Sequence, residues 1–301
     1  MRLSVVIITH NEEANIGRTL ASVQSLVADG RGEIIVVDSG STDRTVEIAE
    51  SYGAKVFVEA WKGYAAQKNS AIDKAEGGWI LSLDADEEVE AGLAATLEIT
   101  FARWAEVDEY ARLKGYRPLD VHENFQTWHE LDDAHSLDTD YYYDGFFLRR
   151  KNLFLGRWIK HGGFWPDPKL RLFRRGLGRA EDRAVHETFK VEGAVAPIGS
   201  GALLHHSYPT IADYIDHMNR YSSLGAEMVV AKGRVSFSTF NIVVRPVTTF
   251  IYNYFFRLGF LDGREGLLLH LYHAVYVSWK YAKAWELERR QLKADSSMRS
   301  E

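Results

Sequence analysis

In the N-terminal third of the chain, short, almost unbroken apolar runs alternate with stretches whose apolar residues recur every three or four positions. Leu3–Thr9 (LSVVIIT) is rich in β-branched residues and has too few polar positions for a surface strand, so it predicts a strand buried on both faces. It runs into His10-Asn11-Glu12-Glu13, after which Ile16, Leu20, Val23, Leu26 and Val27 mark an amphipathic helix closing near Gly30. Glu33–Asp38 (EIIVVD) predicts a second buried strand. Ser39-Gly40-Ser41-Thr42-Asp43 is then a turn that supplies cap residues to a helix over Arg44–Tyr52, stopped at Gly53. Lys55–Glu59 predicts a third strand, Tyr64–Ala75 a third helix ended by Gly77-Gly78, and Trp79–Asp84 (WILSLD) a fourth strand. Regular alternation of this kind predicts βαβ units: an α/β fold with a mostly parallel, Rossmann-like sheet and flanking helices.

Beyond residue 103 the period weakens. The stretch from about 104 to 144 is acidic and without a clear repeat, and reads as a loop-rich insertion, either a lid over a second substrate or a solvated excursion. His122, His129 and His135 within it lack a zinc-ligand spacing. Lys169–Arg174 (KLRLFR) alternates like a strand, with Lys169, Arg171 and Phe173 on one face. Ile211–Lys232 has helical spacing. Phe237–Lys283 mixes aromatic and aliphatic residues with Arg and Lys, interrupted at Pro246 and at Asp262-Gly263. That mixture suits helices lying in a membrane interface, or packed on the first domain or on another copy of the chain. The boundaries expected are one α/β domain over 1–208, with halves at 1–103 and 145–208 on either side of the insertion. A helical membrane-associated extension over 209–290 and a disordered tail over 291–301 follow.

Charge sharpens this division. The net charge is −6, but residues 1–144 carry 12 Lys and Arg against 28 Asp and Glu, and residues 145–301 carry 24 against 14. A basic second half suits anionic partners, phosphates or a lipid surface. No motif would dock a nucleic-acid base or groove, so nucleic acid is not an expected partner. Cysteine is absent, which excludes disulfides and thiolate metal sites and permits a cytoplasmic location. No small-residue cleavage site follows the N-terminal run, so no signal peptide is read there. The longest apolar runs, near Phe250–Phe260 and Leu267–Trp279, fall short of the roughly 20 residues of a spanning helix.

Three predicted strands end in polar residues: Asn11 with Glu12, Asp38, and Asp84 with Asp86. In an open α/β sheet these ends lie along one edge, where ligands bind. Any one such acid is more often a helix cap; the set together points to a nucleotide. Asp84 and Asp86, separated only by Ala85, can face a hard cation such as Mg²⁺ or Mn²⁺ that leaves positions for phosphate oxygens. His205-His206, beside Tyr208-Pro209, is a weaker candidate for the same region.

Thr9-His10-Asn11-Glu12, Val37-Asp38-Ser39-Gly40-Ser41-Thr42-Asp43 and Leu83-Asp84-Ala85-Asp86-Glu87 resemble the motifs of the family 2 inverting glycosyltransferases of GT-A fold. Trp61-Lys62-Gly63-Tyr64, Gln67-Lys68-Asn69, Phe154-Leu155-Gly156-Arg157-Trp158, Lys169–Arg175, Val185-His186-Glu187 and Gly259-Phe260-Leu261-Asp262-Gly263 resemble the lipopolysaccharide-core branch of that family. The resemblance implies a nucleotide-sugar donor, foremost a UDP-sugar, and a membrane glycolipid acceptor of the lipopolysaccharide core or a related envelope glycan. It implies transfer with inversion, Mg²⁺ or Mn²⁺ at Asp84 and Asp86, and a place on the inner face of the cytoplasmic membrane. Thr9, Asn11, Glu12 and Asp38 would hold base and ribose, with Lys68, Asp84, Arg171 and Arg174 as further donor contacts. Asp86 would act through the metal and Glu187 as catalytic base, although Glu181 and Asp182 lie close in sequence. A sugar nucleotidyltransferase and a non-catalytic membrane scaffold of the same fold are the alternatives; a homo-oligomer is compatible with each.

Overall fold

The computed structural model describes residues 2–114, 143–181, 188–233 and 235–298. The chain forms two compact units: Met1–Arg150 with Asp167–Asp182 and Glu187–His205, and Lys151–Pro166 with Arg183–His186 and His206–Glu301.

In the first unit β1 (Leu3–Thr9), α1 (Ile16–Val27), β2 (Gly32–Asp38), α2 (Thr45–Ser51), β3 (Lys55–Val58), α3 (Tyr64–Asp73) and β4 (Trp79–Asp84) follow the predicted alternation closely. β5 (Glu87–Val89), α4 (Ala91–Lys114), β6 (Gly145–Leu148), β9 (Lys169–Arg174), β10 (Gly178–Glu181), β11 (Thr188–Val191), β12 (Val195–Pro197) and the start of β13 (Leu203–Tyr208) complete it; β7 and β8 belong to the second unit. The main sheet has seven strands in the order β12-β6-β9-β4-β1-β2-β3. β1 to β4 are parallel, and β9 runs antiparallel between β4 and β6. This is the α/β, mostly parallel sheet with flanking helices that the sequence predicts.

Both sheet faces are covered, which is why the strands read as continuous apolar runs. Val5, Ile7, Ile34, Val36, Leu81 and Leu83 pack with α1 and α4 on one face, and Val6, Ile35, Val37, Ile80 and Phe173 pack with Ala71 and Ile72 of α3 on the other. α4 extends to Lys114, so the stretch expected to be loop-rich begins as helix. Its remainder, 115–142, lies outside the described residues.

In the second unit, β7 (Arg150–Phe154) and β8 (Arg157–Ile159) form a hairpin whose turn residues Leu155 and Gly156 both have positive φ, the backbone a two-residue turn requires. α5 (Ile211–Ala231) starts at a reciprocal cap between Thr210 and Asp213. A helical run follows, π-helical over Phe240–Val244, α-helical over Arg245–Ile251 (α6) and π-helical again over Tyr252–Phe256; after a 3₁₀ turn at Gly259–Asp262 comes α7 (Gly263–Met298). The core joins Phe154, Ile159, Tyr214 and Leu269. A Cβ at Gly162 would lie 1.9 Å from the His270 ring, so that position admits only glycine. The tail beyond Arg290, expected to be disordered, continues α7 to Met298. Its composition favours helix, and Arg290 pairs with Glu286 one turn earlier at 2.6 Å.

Candidate active site

At the end of β2 the Asp38 carboxylate accepts from the backbone N–H of Gly40 (2.9 Å) and of Ser41 (2.8 Å), and from the Ser41 hydroxyl. Across from it Asn11, at positive φ, accepts from the Thr42 N–H through its side-chain oxygen (2.8 Å) and donates its own N–H to Ser41 Oγ (2.8 Å). The two loops are thereby clasped at the C-terminal edge of β1 and β2. Glu12 donates its backbone N–H to Thr45 Oγ1 (2.7 Å), and burial, then the nearby Asp86, Asp43 and Asp84, raise its carboxyl pKa against the opposing Asn15 amide. Among the described residues, the buried hydroxyls of Thr9 and Ser39 and both amide atoms of Gln67 on α3 have no hydrogen-bond partner. Such groups cost stability unless a ligand or water satisfies them.

Asp84, at the end of β4, lies between two cations. One carboxylate oxygen meets Lys68 Nζ at 2.8 Å and the other accepts from Arg171, whose guanidinium also donates to Glu87 at 2.9 Å. Glu87 is fully buried; it accepts the Asp84 backbone N–H (3.1 Å) and a bond from Arg150 (3.1 Å). Arg150 continues to Asp167 (2.8 Å), which also meets Lys169 (3.0 Å). Burial alone would push the Asp84 carboxyl pKa up, but Arg171 and Lys68 hold it well below the usual carboxylate range. Lys68, Arg150, Lys169 and Arg171 thus face Asp84, Glu87 and Asp167 in one network of ion pairs at the sheet edge. Burial, and then Arg150, lower the Lys169 pKa accordingly.

Asp86 takes a different partner. The pairing of β13 with β5 sets His205 opposite Glu87, and His205 Nε2 stands 3.2 Å from the Asp86 carboxylate. Burial raises the Asp86 pKa, His205 and then Arg150 lower it, and the net shift is downward. The Ala85 carbonyl between the two acids accepts from Thr19 Oγ1 at 2.7 Å, which fixes the turn. Among the described residues no group of three or more His, Asp or Glu side chains is placed to hold an ion. Asp86 and His205 offer an oxygen and a nitrogen donor that are hydrogen-bonded to each other, while both Asp84 oxygens face Lys68 and Arg171. A cation at this edge would have to displace one of these pairings, and Asp86 with His205 would then be able to hold it. That donor set suits Mn²⁺ above Mg²⁺, which prefers oxygen.

Of the residues singled out by sequence, Thr9, Asn11, Glu12, Asp38, Lys68, Asp84, Asp86 and Arg171 belong to this edge. Arg174 does not. β9 is antiparallel, so Arg174 pairs with Trp79 at the opposite end of β4 from Asp84, where its guanidinium lies 4.9 Å from the Trp79 ring centre and 3.5 Å from Asp144. Glu187 lies in segment 182–187, outside the described residues. The strand before that segment is held by Asn69, which donates to the Ala180 carbonyl and accepts from its N–H, each at 2.9 Å. Consecutive residues of α3 thus fasten Asp84 and β10. Sequence reading missed Glu87, Arg150 and Asp167; only the Asp-Glu-Glu run after Ala85 pointed toward Glu87.

The profile of glycosyl transferase family 2 matches residues 4–166. A glycosyltransferase of Rickettsia felis is 30% identical over 276 residues, 89% of this chain and 83% of its own. The chain belongs to glycosyl transferase family 2 and is a nucleotide-sugar-dependent glycosyltransferase. The lipopolysaccharide core biosynthesis glycosyltransferase LpsC of Rhizobium meliloti is 29% identical over 305 residues, covering 97% of this chain and 94% of its own. Among solved structures, S. aureus TarS 1–349 in complex with UDP-GlcNAc aligns over 97% of this chain and 92% of its own, at 14% identity and a TM-score of 0.45.

Proposed function

We propose that this enzyme transfers a sugar from a nucleotide diphosphate donor, a UDP-sugar being the first to test, to a lipopolysaccharide-core or related envelope glycolipid, with inversion. The observation that carries the reading is Asp84 held between Lys68 and Arg171 at the strand edge where Asp38 and Asn11 clasp their loops. The similarity to LpsC along nearly the whole chain supports the acceptor class.

Asp38 and the Asn11 loop orient the nucleoside, and the orphaned Thr9, Ser39 and Gln67 groups offer it further hydrogen bonds. Asp86 and His205 would hold Mn²⁺ or Mg²⁺, which when bound supplies Lewis-acid stabilisation to the departing diphosphate. Lys68, Arg150 and Arg171, themselves largely buried, add fixed positive charge where the leaving group gains negative charge. Glu187 accepts the proton of the acceptor hydroxyl as its oxygen bonds to the anomeric carbon and the bond to the diphosphate breaks on the opposite face. A single displacement of this kind inverts the centre.

The test is purified enzyme with a panel of UDP-sugars, Mn²⁺ and a lipopolysaccharide-core acceptor, with product configuration read by NMR. Glu187→Gln should lose about 10²–10⁴-fold in turnover while keeping donor affinity. An active Glu187→Gln beside a dead Glu181→Gln or Asp182→Asn would move the base, and a retained configuration would overturn single displacement.

A further inference from the structure

We infer that the second unit docks on an anionic bilayer surface through one face of the helical run Phe240–Phe256 and the turn after it, inserting apolar side chains without spanning the membrane. This goes beyond the sugar-transfer reading and does not depend on which sugar moves.

Phe240, Val243, Val244, Val247, Ile251 and Phe255 are all exposed. Their spacing is that of a single helix stripe, and an amphipathic helix in a globular domain turns such a stripe to the core. Here the core-facing side is the other one. Pro246 is buried, the Ile242 carbonyl accepts from Ser278 Oγ of α7 (2.8 Å), and Arg245 bonds Tyr281 of α7 (2.6 Å). The apolar face is therefore not a packing remnant: the run is anchored to α7 by its other side. The stripe continues into the turn, where Phe256 is 75% exposed and Leu258, Phe260 and Leu261 are exposed as well. A contiguous patch of this kind marks an interaction surface.

Charge identifies the occupant. Arg245, Arg257 and Arg264 are exposed along the same segment, and exposed Arg157 and Lys160 flank its turn. Arg157 donates to the Leu261 carbonyl (3.2 Å), and the Lys160 backbone N–H donates to Asp262 (3.1 Å). Asp262, the only acid between Val235 and Arg264, is buried, and it also takes the His161 N–H (2.8 Å) and ring nitrogen (3.0 Å). Aromatic and aliphatic side chains rimmed by more cations than acids, with Asp262 turned inward and Glu265 3.8 Å from Arg157, match the acyl boundary and anionic headgroups of a bilayer. A second copy of the chain meeting this face about a two-fold axis would set the same cations against each other. No helix among the described residues is long and apolar enough to cross a membrane, so the contact is interfacial.

The experiment is flotation of the full chain with phosphatidylcholine vesicles, with and without phosphatidylglycerol and free of any glycolipid acceptor, at low and high salt. Wild type should float with the anionic vesicles and release as salt rises. Phe256→Asp and Arg264→Glu should each weaken binding by roughly tenfold or more, with unchanged circular dichroism and melting because both side chains point to solvent. Wild type that ignores anionic vesicles at low salt, or Phe256→Asp that binds as wild type does, would overturn the proposal. A stable wild-type dimer dissociated by Phe256→Asp would assign the face to a second copy instead.

Discussion

His205 Nε2 stands 3.2 Å from the Asp86 carboxylate, brought there by the pairing of β13 with β5. If this pair holds the metal, His205→Ala should raise the Mn²⁺ concentration needed for half-maximal activity at least tenfold, roughly the scale set even by outer-shell ligand partners. The Mn²⁺-induced rise in melting temperature of the donor-free protein should disappear in the same variant. An unchanged Mn²⁺ shift in His205→Ala would assign the ion elsewhere.

The buried charge network predicts a sharp contrast in stability. Arg171→Leu strips a cation from both Asp84 and Glu87 and should cost about 3–5 kcal/mol in urea unfolding, the usual effect of leaving a buried ion unpaired. Arg2→Ala removes an exposed partner of Glu76 and should cost about 1 kcal/mol or less. Similar costs for the two would mean that the network is solvated.

Gln67 separates a functional from a structural role. Its amide is fully buried without a partner, so Gln67→Leu should stabilise the donor-free protein by roughly 1–3 kcal/mol by removing an unsatisfied group. Donor affinity, measured by calorimetry, should fall. A less stable variant with unchanged donor affinity would show that the amide serves the fold alone.

Burial, and then the neighbouring His273, lower the His270 pKa to about 4 from an ordinary value of 6.5, and both of its ring nitrogens lack hydrogen-bond partners. The unfolded chain then binds the extra proton more readily than the folded one. The stability that goes with neutral His270 is complete above pH 6.5 and is lost as pH falls from there toward 4, by up to about 3 kcal/mol. The pH dependence of the unfolding midpoint should flatten across that window in His270→Leu, even if the variant is less stable throughout; an unchanged slope would mean that His270 titrates normally.

The βαβ alternation, the buried strands and the placement of Asn11, Asp38, Asp84 and Asp86 at one edge were legible in the sequence. Residue periodicity and turn chemistry are local properties, and the parallel sheet follows from them. The motif resemblance likewise reached the family that the comparisons show. Partner choice was not legible. Arg171 and Arg174 looked equivalent in KLRLFR until the antiparallel direction of β9 put one beside Asp84 and the other beside Trp79. Asp84 and Asp86 read as neighbours able to face one ion; which side chains stand beside them, Lys68 and Arg171 at the first and His205 at the second, came only with the tertiary structure. The aromatic and basic composition of Phe237–Lys283 suggested an interface without saying which side faces out; anchoring through Pro246, Arg245 and Ile242 decided that. Sequence thus determined which elements form and which ends carry chemistry, because those depend on neighbours along the chain. Tertiary structure alone decided which charges meet, because ion pairing and burial depend on contacts between residues that the chain keeps far apart.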